Sequence, residues 1–347
     1  MRNNKLIRFI QQSIKLFKLD LSGYNILVPA LTKEPSLAPV MASMAGAKNV
    51  YIMADDIEVV NKVCFFETQL GLKSNFVFIQ KETPQILSGL DIIIKGEGIS
   101  YIDAGFISAL KKDCVISVLP ENLDFRNIKD ISLEDCARRE IPVVAVDPGD
   151  KNLMLYKYFS HLIIKKCYEA DINVFKSRIL LVGCGELLEN VLSFLKSVGA
   201  QVYVAYTDRD KDKTYTLKHL FDTDIIVVIE YPQKSKSIIG NDGFIKIEDI
   251  LDINPELKII HLCGKIETRS LSLGRISTIP EIITQNSLNV SIDELDSRAI
   301  TEITAAVMKA AESLIKLKKR TILPGESIVS YNIINAGGPV VLGRIMF

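Results

Sequence analysis

Two glycines one residue apart follow a short apolar run near the middle of the chain. Ile179 to Val182 has the length of a strand, Gly183 and Gly185 come next, and apolar residues then recur at helical spacing. Glycines at a strand-to-helix turn let the backbone approach a pyrophosphate, and the N–H groups and positive dipole end of the following helix stabilise its charge. This stretch therefore predicts a dinucleotide site, although Leu188 stands at the third motif position, where Gly or Ala is usual.

The end of the next predicted strand is where an acidic residue usually binds a ribose hydroxyl. The usual position for that acid falls on Tyr206, and Asp208 lies two residues later, beside Arg209. Asp208 would accept a hydrogen bond from the ribose and repel a 2′-phosphate, whereas Arg209, Lys211 and Lys213 could bind that phosphate. The sequence therefore leaves NAD and NADP open.

A second candidate for anion binding is the segment Lys95-Gly96-Glu97-Gly98, which follows a predicted strand. In open α/β sheets, ligands bind beyond the carboxyl ends of the strands. A glycine-flanked loop there could offer backbone N–H groups to a substrate carboxylate, with Lys95 as a cation. The alternative is a flexible turn with a solvated lysine.

Six short apolar strands alternate with helical patterns in the first part of the chain. Strands this short and this apolar on both faces indicate a parallel sheet covered by helices on both sides, and we assign residues 1–150 to this α/β domain. The predicted strands are Ile26 to Pro29, Val50 to Met53, Phe76 to Ile79, Asp91 to Lys95, Val115 to Leu119 and Pro142 to Val146.

The rest of the chain predicts a second domain of the same class. We expect a bridging helix in 151–170, a dinucleotide-binding domain in 171–320, and a tail, 321–347, that returns to the first domain or enters a dimer interface. The long helix Ala299 to Lys318 falls at the end of the second domain. The predicted fold class is thus α/β, with two Rossmann-like, doubly wound parallel-sheet domains joined by a bridging helix.

The composition disfavours several function classes. The 42 basic and 42 acidic residues balance, so no net field recruits nucleic acid or an anionic membrane. The three histidines have no ligand spacing and the six cysteines form no C-x-x-C pair, so we expect reduced thiols, a cytoplasmic location and no metal site. No apolar run has the length of a membrane span, and we interpret the basic amphipathic helix in residues 1–19 as packed on a domain.

Several fragments carry a resemblance to a known family. They are IIIKGEGI, IPVVAVDPG, GCGELL and TDIIVVIEYP. With this layout, the chain resembles the D-2-hydroxyacid dehydrogenase superfamily, of the formate and glycerate dehydrogenase type; alanine dehydrogenase is similar in its lysine after a strand like Ile92 to Lys95. The resemblance implies NAD(P) bound at the glycine turn and a small substrate near Gly96 and Gly98 in a cleft between the domains. We also expect a homodimer. The residues that we assign to the cofactor are Gly183, Cys184, Gly185, Glu186, Leu187, Tyr206, Thr207, Asp208, Arg209, Tyr231, Pro232, Cys263 and Gly264.

The catalytic residues of the family have no direct counterpart. The family's arginine is missing from the segment His261 to Lys265, and its histidine is missing from the segment Asn289 to Ser297. Hydride transfer to a keto acid needs a proton donor and a cation. We therefore expect His261 as the acid and Lys95 or Lys265 as the cation in an NAD(P)-dependent oxidoreductase acting on a small carboxylate- or carbonyl-bearing substrate. The alternatives are a buried, hydrogen-bonded His261 and a non-catalytic dinucleotide-binding sensor or assembly protein.

Overall fold

A computed structural model of the chain divides into two compact units. Unit 1 comprises Met1–Leu153 with Leu295–Phe347, and unit 2 comprises Met154–Glu294. The structure describes residues 2–30, 34–54, 56–72, 75–119, 128, 130–209, 213–231, 236–285, 287–291, 294–318, 331–334 and 341–343.

Helices and strands alternate along most of the described chain. The helices are α1 Arg2–Phe17, α2 Leu37–Met44, α3 Ile57–Leu70, α4 Pro84–Leu87, α5 Ala104–Ala109, α6 Leu133–Arg138, α7 Leu155–Glu169, α8 Glu186–Ser197, α9 Lys213–Leu220, α10 Ile247–Ile253, α11 Thr268–Leu273 and α12 Ser297–Lys318. The strands are β1 Asn25–Val28, β2 Asn49–Met53, β3 Phe76–Ile79, β4 Ile92–Lys95, β5 Val115–Val118, β6 Val143–Val146, β7 Arg178–Cys184, β8 Gln201–Tyr206, β9 Ile225–Glu230, β10 Ser237–Gly240, β11 Ile245–Lys246, β12 Lys258–Cys263, β13 Lys265–Ile266, β14 Thr278–Ile279, β15 Tyr331–Ile334 and β16 Val341–Gly343.

Unit 1 is built on a parallel sheet in the order β3-β2-β1-β4-β5-β6. Its central strands β4, β5 and β6 are buried along their whole length, as expected of a sheet covered on both faces. Ile116 of β5 packs in a core with α4, α5 and α6, whereas the neighbouring Ser117 donates a hydrogen bond to Val307 of α12 on the other face. From the tail, β15 pairs antiparallel with β6, and β16 pairs antiparallel with β15.

Helix α12 belongs to unit 1, which differs from the predicted domain boundary at residue 320. It packs on β4, β5 and β6, and the amphipathic first helix α1 packs along it, as predicted. A buried ion pair strengthens this placement, since Lys309 Nζ donates to Glu312 Oε1 at 2.9 Å and to the Lys18 carbonyl at 2.8 Å. Glu312 also accepts from the Asp20 N–H at 3.1 Å. The predicted boundary placed α12 in the second domain because its periodicity reveals an apolar stripe but not which sheet that stripe covers.

Unit 2 has a five-stranded parallel sheet in the order β8-β7-β9-β12-β14. The short parallel sheet of β10, β11 and β13 beside it was not predicted from the sequence. One face of the large sheet packs in a core with α9, α10 and α11, and α7 and α8 pack together on its other side. Each unit thus has a parallel sheet with helices on both faces, which confirms the predicted fold class.

Candidate dinucleotide site

The order of the strands in unit 2 reverses between β7 and β9, where β7 is flanked by β8 on one side and β9 on the other. In doubly wound sheets, ligands bind beyond the carboxyl ends of the strands at such a switch point. Strands β7 and β9 end there at Cys184 and Glu230. The predicted glycine turn therefore lies where the topology favours a ligand.

The two glycines of this turn are required by their own backbone surroundings. Gly183 has φ +142, and a Cβ at this position would lie 1.8 Å from the Ile229 carbonyl oxygen. Gly185 has φ +100, and its Cβ would lie 2.2 Å from the Tyr231 carbonyl oxygen. The turn consequently packs against the end of β9 more closely than any side chain would permit.

Helix α8 begins immediately after this turn, with Gly185 as its N-cap and no side-chain hydrogen bond capping it. The N–H groups of the first turn of a helix have no partners within the helix, so this donor set fits a pyrophosphate. The side chains of the first turn have different roles. Leu187 and Leu188 are buried and fix the helix against the sheet. Glu186 and Glu189 carry negative charges that would repel a bound anion.

Thr207, which follows β8, is hydrogen-bonded to the glycine turn and to the end of β9. Its N–H donates to the Gly183 carbonyl at 2.9 Å, and its hydroxyl donates to Glu230 Oε1 at 2.7 Å. Gly183 pairs with Tyr206 on one side and Ile229 on the other, so the Thr207–Glu230 hydrogen bond joins the segments on either side of β7. Glu230 was not among the predicted site residues; its signal was an acidic residue directly after an apolar strand.

Arg209, Tyr206 and Glu189 form a cluster beside this connection. The Arg209 guanidinium lies 4.0 Å from the centroid of the Tyr206 ring, and its Nη2 lies 3.6 Å from Glu189 Oε1. Burial, and then a hydrogen bond to Glu189, raise the pKa of the Tyr206 hydroxyl. Asp208 is exposed. A cation thus lies near the first turn of α8, while Lys211 and the side chain of Lys213 fall outside the described residues.

His261, the predicted proton carrier, is held in the interior of unit 2 and is only 1% exposed. Its Nε2 lies 2.7 Å from the Gly264 carbonyl oxygen, which can only accept, so Nε2 carries the proton. Its Nδ1 lies 3.2 Å from the Asn289 side-chain amide, which then donates to it. Burial lowers the pKa of His261 from 6.5 to about 4 despite the opposing hydrogen bond to Gly264. Both ring nitrogens thus have partners within the protein, which favours the alternative of a buried, hydrogen-bonded side chain over the predicted role as proton carrier.

The remaining predicted cofactor residues lie at the ends of neighbouring strands. Tyr231 follows β9 and Cys263 ends β12, and both are buried. Gly264 has φ +119, and a Cβ there would lie 2.5 Å from the side chain of Ile238 and 3.3 Å from Cβ of Glu230. The structure thus brings these residues to the same edge as the glycine turn; Pro232 lies outside the described residues.

In unit 1, the predicted Lys95 loop follows β4 at the point where the strand order reverses between β1 and β4. Lys95 is 7% exposed, and its ammonium donates to the Ile99 carbonyl at 2.8 Å and to the Gly96 carbonyl at 3.4 Å. Glu97 is half-buried and Gly98 is exposed with φ +83. The ammonium is therefore directed at its own loop, which differs from the expected solvated or substrate-facing cation.

A cavity of about 710 Å³ lies elsewhere in unit 2, at the amino ends of β7, β9 and β12. Phe175, Arg178 and Asp224 are among the residues that line it. It occupies the edge of the sheet opposite the glycine turn, so we place no chemistry there. Among the described residues, there is no cluster of three or more metal-binding side chains and no helix long and apolar enough to cross a membrane.

Comparison with known proteins places the fold. No family model and no curated protein matches the chain. A dipicolinate synthase chain from Bacillus subtilis is similar with a TM-score of 0.55 and 13% identity, over 88% of this chain and 98% of that one. The dipicolinate synthase chain solved from Bacillus halodurans gives 0.54 and 12%, over 86% of this chain and 98% of that one.

A NAD-dependent formate dehydrogenase from Staphylococcus aureus, solved in complex with NAD, gives a TM-score of 0.52 and 12% identity, over 92% of this chain and 100% of that one. The solved structures with this fold therefore include dehydrogenases of the kind that the sequence fragments resemble. At these identities the likeness establishes the fold alone, and the predicted resemblance is confirmed at that level.

Proposed function

We propose that this chain binds a nicotinamide dinucleotide, NAD or NADP, at the turn between β7 and α8. We further propose that it is a dehydrogenase or reductase of a small substrate bearing a carbonyl or carboxylate group. The observation that carries the proposal is the turn itself, in which Gly185 caps α8 without a side chain at the point where the strand order reverses. The fold shared with a dehydrogenase solved in complex with NAD supports the same function.

Different residues would bind different parts of the dinucleotide. The N–H groups of Gly185, Glu186 and Leu187 would hold the pyrophosphate, because they begin α8 and its positive dipole end. Tyr206 and Arg209 would adjoin the adenosine end, since β8 ends beside Gly183. When bound, the cofactor supplies hydride-transfer chemistry.

The substrate anion is assigned to backbone groups of the Gly96 to Gly98 loop. The Lys95 ammonium donates to carbonyl groups of this loop and so stabilises its conformation. We therefore do not assign it to the substrate carboxylate. A proton donor from His261 is not part of the proposal, because both of its ring nitrogens are occupied.

The second candidate function is a dinucleotide-binding protein without turnover. The occupied ring of His261 favours it, because the described residues then offer no histidine in the role that the sequence suggested. The two candidates share the binding site and differ only in chemistry.

Titration with NADH and NADPH, followed by nicotinamide fluorescence, tests the shared part. We expect saturable binding of at least one of them, and no binding of either would contradict both candidates. The variant Gly185→Ala should lose this binding, because its Cβ would collide with the Tyr231 carbonyl and force the turn to move. The matched control is Gly71→Ala, where φ is +59 and a Cβ has nothing within 4 Å.

Turnover separates the two candidates. With binding established, absorbance at 340 nm is followed with a panel of 2-keto acids, aldehydes and hydroxy acids. Oxidation or reduction of the nicotinamide on one of these substrates would support the dehydrogenase, whereas tight binding with no turnover across the panel would support the sensor.

A further inference from the structure

The end of β8 presents a positive charge where an acidic side chain would select an unmodified ribose. Tyr206 pairs with Gly183, so it occupies the strand position from which such an acid would reach the ribose. The Arg209 guanidinium covers the Tyr206 ring at 4.0 Å from its centroid. The planar face of Arg209 is thereby oriented while its N–H groups remain able to bind an anion.

Arg209 follows a fixed residue of the chain and makes one ion pair of its own. Thr207, two residues earlier, is fixed through its N–H to Gly183 and through its hydroxyl to Glu230. The guanidinium is also held by Glu189 in the first turn of α8, with 3.6 Å between Nη2 and Oε1. Arg209 is thus tied both to the turn after β8 and to the helix that follows the glycine turn.

Two of the three acidic residues nearby are already paired within the protein. Glu230 is 2% exposed and its Oε1 accepts from Thr207. Glu189 is paired with Arg209, and Asp208 is an exposed residue of the connecting loop. A ribose hydroxyl at this position would therefore meet an arginine and an aromatic ring.

We infer that this site selects a dinucleotide carrying a 2′-phosphate, NADP(H), over NAD(H), and that Arg209 recognises the phosphate. This inference rests on the proposed dinucleotide function and adds the identity of the cofactor.

The test is a pair of binding isotherms, for NADPH and NADH, on the full chain and on the variant Arg209→Gln. We expect the wild type to bind NADPH at least about tenfold more tightly, the effect of one charge-assisted contact. Arg209→Gln should remove that difference by weakening NADPH while changing the Kd of NADH less than about twofold. The matched control is Arg178→Gln, which removes another surface arginine of unit 2, paired with Asp222 at 3.0 Å, and should change neither Kd.

Competition by 2′,5′-ADP and by 5′-AMP gives a second readout that needs no nicotinamide. The former should displace NADPH from the wild type more effectively than the latter, and the two should be equally effective on Arg209→Gln.

Tighter or equal binding of NADH in the wild type, or equal weakening of both dinucleotides by Arg209→Gln, would overturn the inference and leave the proposed function intact. A selective loss of NADH affinity in Asp208→Asn would also overturn it by assigning the ribose to that carboxylate. Binding of neither dinucleotide would overturn the inference and the proposed function together.

Discussion

The two units carry a loop at the same place in their sheets, beyond a strand that borders the switch point, and the loops are built differently. In unit 2, the backbone closes around Gly183 and Gly185, and α8 begins with no side-chain cap. In unit 1, the Lys95 ammonium is bound by the carbonyl groups of its own loop. The loop of unit 2 thus leaves the first N–H groups of α8 without a side-chain cap, whereas in the loop of unit 1 the lysine ammonium donates to carbonyl groups of the loop itself.

A lysine beside a glycine-rich loop is therefore not necessarily directed at a ligand, because the ammonium of Lys95 donates to carbonyl groups of its own loop. Gly98 has φ +83 and open space around its Cβ position, so it serves the conformation of a surface loop. Gly183 allows two strands and the turn to approach one another. Substitutions in the two loops should therefore have different consequences.

The largest effect is expected from alanine at Gly183, and alanine at Gly98 is its comparison. Gly183→Ala would place a Cβ 1.8 Å from the Ile229 carbonyl, so the free energy of unfolding should fall by more than about 4 kcal/mol. Gly98→Ala meets no atom within 4 Å and adds only backbone strain at positive φ, about 1 kcal/mol. Urea unfolding followed by circular dichroism measures both, and equal losses would contradict the comparison.

The pH dependence of stability reports on His261. Its pKa is about 4 in the folded chain against 6.5 ordinarily, so the unfolded chain binds the proton more readily and stability is lost as the pH falls from 6.5 towards 4. The full loss is about 3 kcal/mol at 1.36 kcal/mol per pH unit. His261→Gln should flatten this part of the profile, measured as unfolding free energy at pH 7 and pH 4.5. An unchanged slope would mean that His261 is not held neutral.

Lys95→Met tests whether the loop in unit 1 is structural. Removing the ammonium takes away the donor at 2.8 Å from the Ile99 carbonyl, whereas the Gly96 carbonyl keeps the Ile99 N–H at 3.3 Å; the loss should cost about 1 to 3 kcal/mol of stability. Dinucleotide affinity should remain unchanged. Lys48→Met, at an exposed lysine, serves as the control for stability. Loss of dinucleotide binding in Lys95→Met would contradict the assignment of the cofactor to the turn between β7 and α8.

The smallest effect is expected at Glu186, an exposed carboxylate in the first turn of α8. Glu186→Gln removes repulsion of the pyrophosphate and should tighten dinucleotide binding about two- to fivefold. The same change weakens a favourable interaction with the helix dipole, so stability should fall by about 0.3 to 1 kcal/mol. Glu134→Gln in the first turn of α6 is the matched control and should lower stability without changing affinity. Weaker binding in Glu186→Gln would argue against an anion at this turn.

Strand positions were predictable from the sequence because the buried strands are continuous apolar runs. The observed bounds of β3 match the prediction, and β4 and β5 differ by one residue. The glycine turn was predictable because all of its residues belong to one continuous segment of strand, turn and helix.

What could not be predicted depends on contacts between distant segments. The partners of His261 include Asn289, 28 residues away, so its occupied ring could not be read from local sequence. Thr207 and Glu230 are 23 residues apart, and their hydrogen bond depends on the order of the strands, in which β7 lies between β8 and β9. The strands of the small sheet are two to four residues long, too short for a periodic pattern.

Hydrogen–deuterium exchange with and without NADPH tests the central claim most directly, because it compares both loops in one experiment. We expect slower exchange at the N–H groups of residues 185–188 when NADPH is present, and no change at residues 95–99. Protection confined to residues 95–99, or no protection at either loop at a saturating concentration, would contradict it.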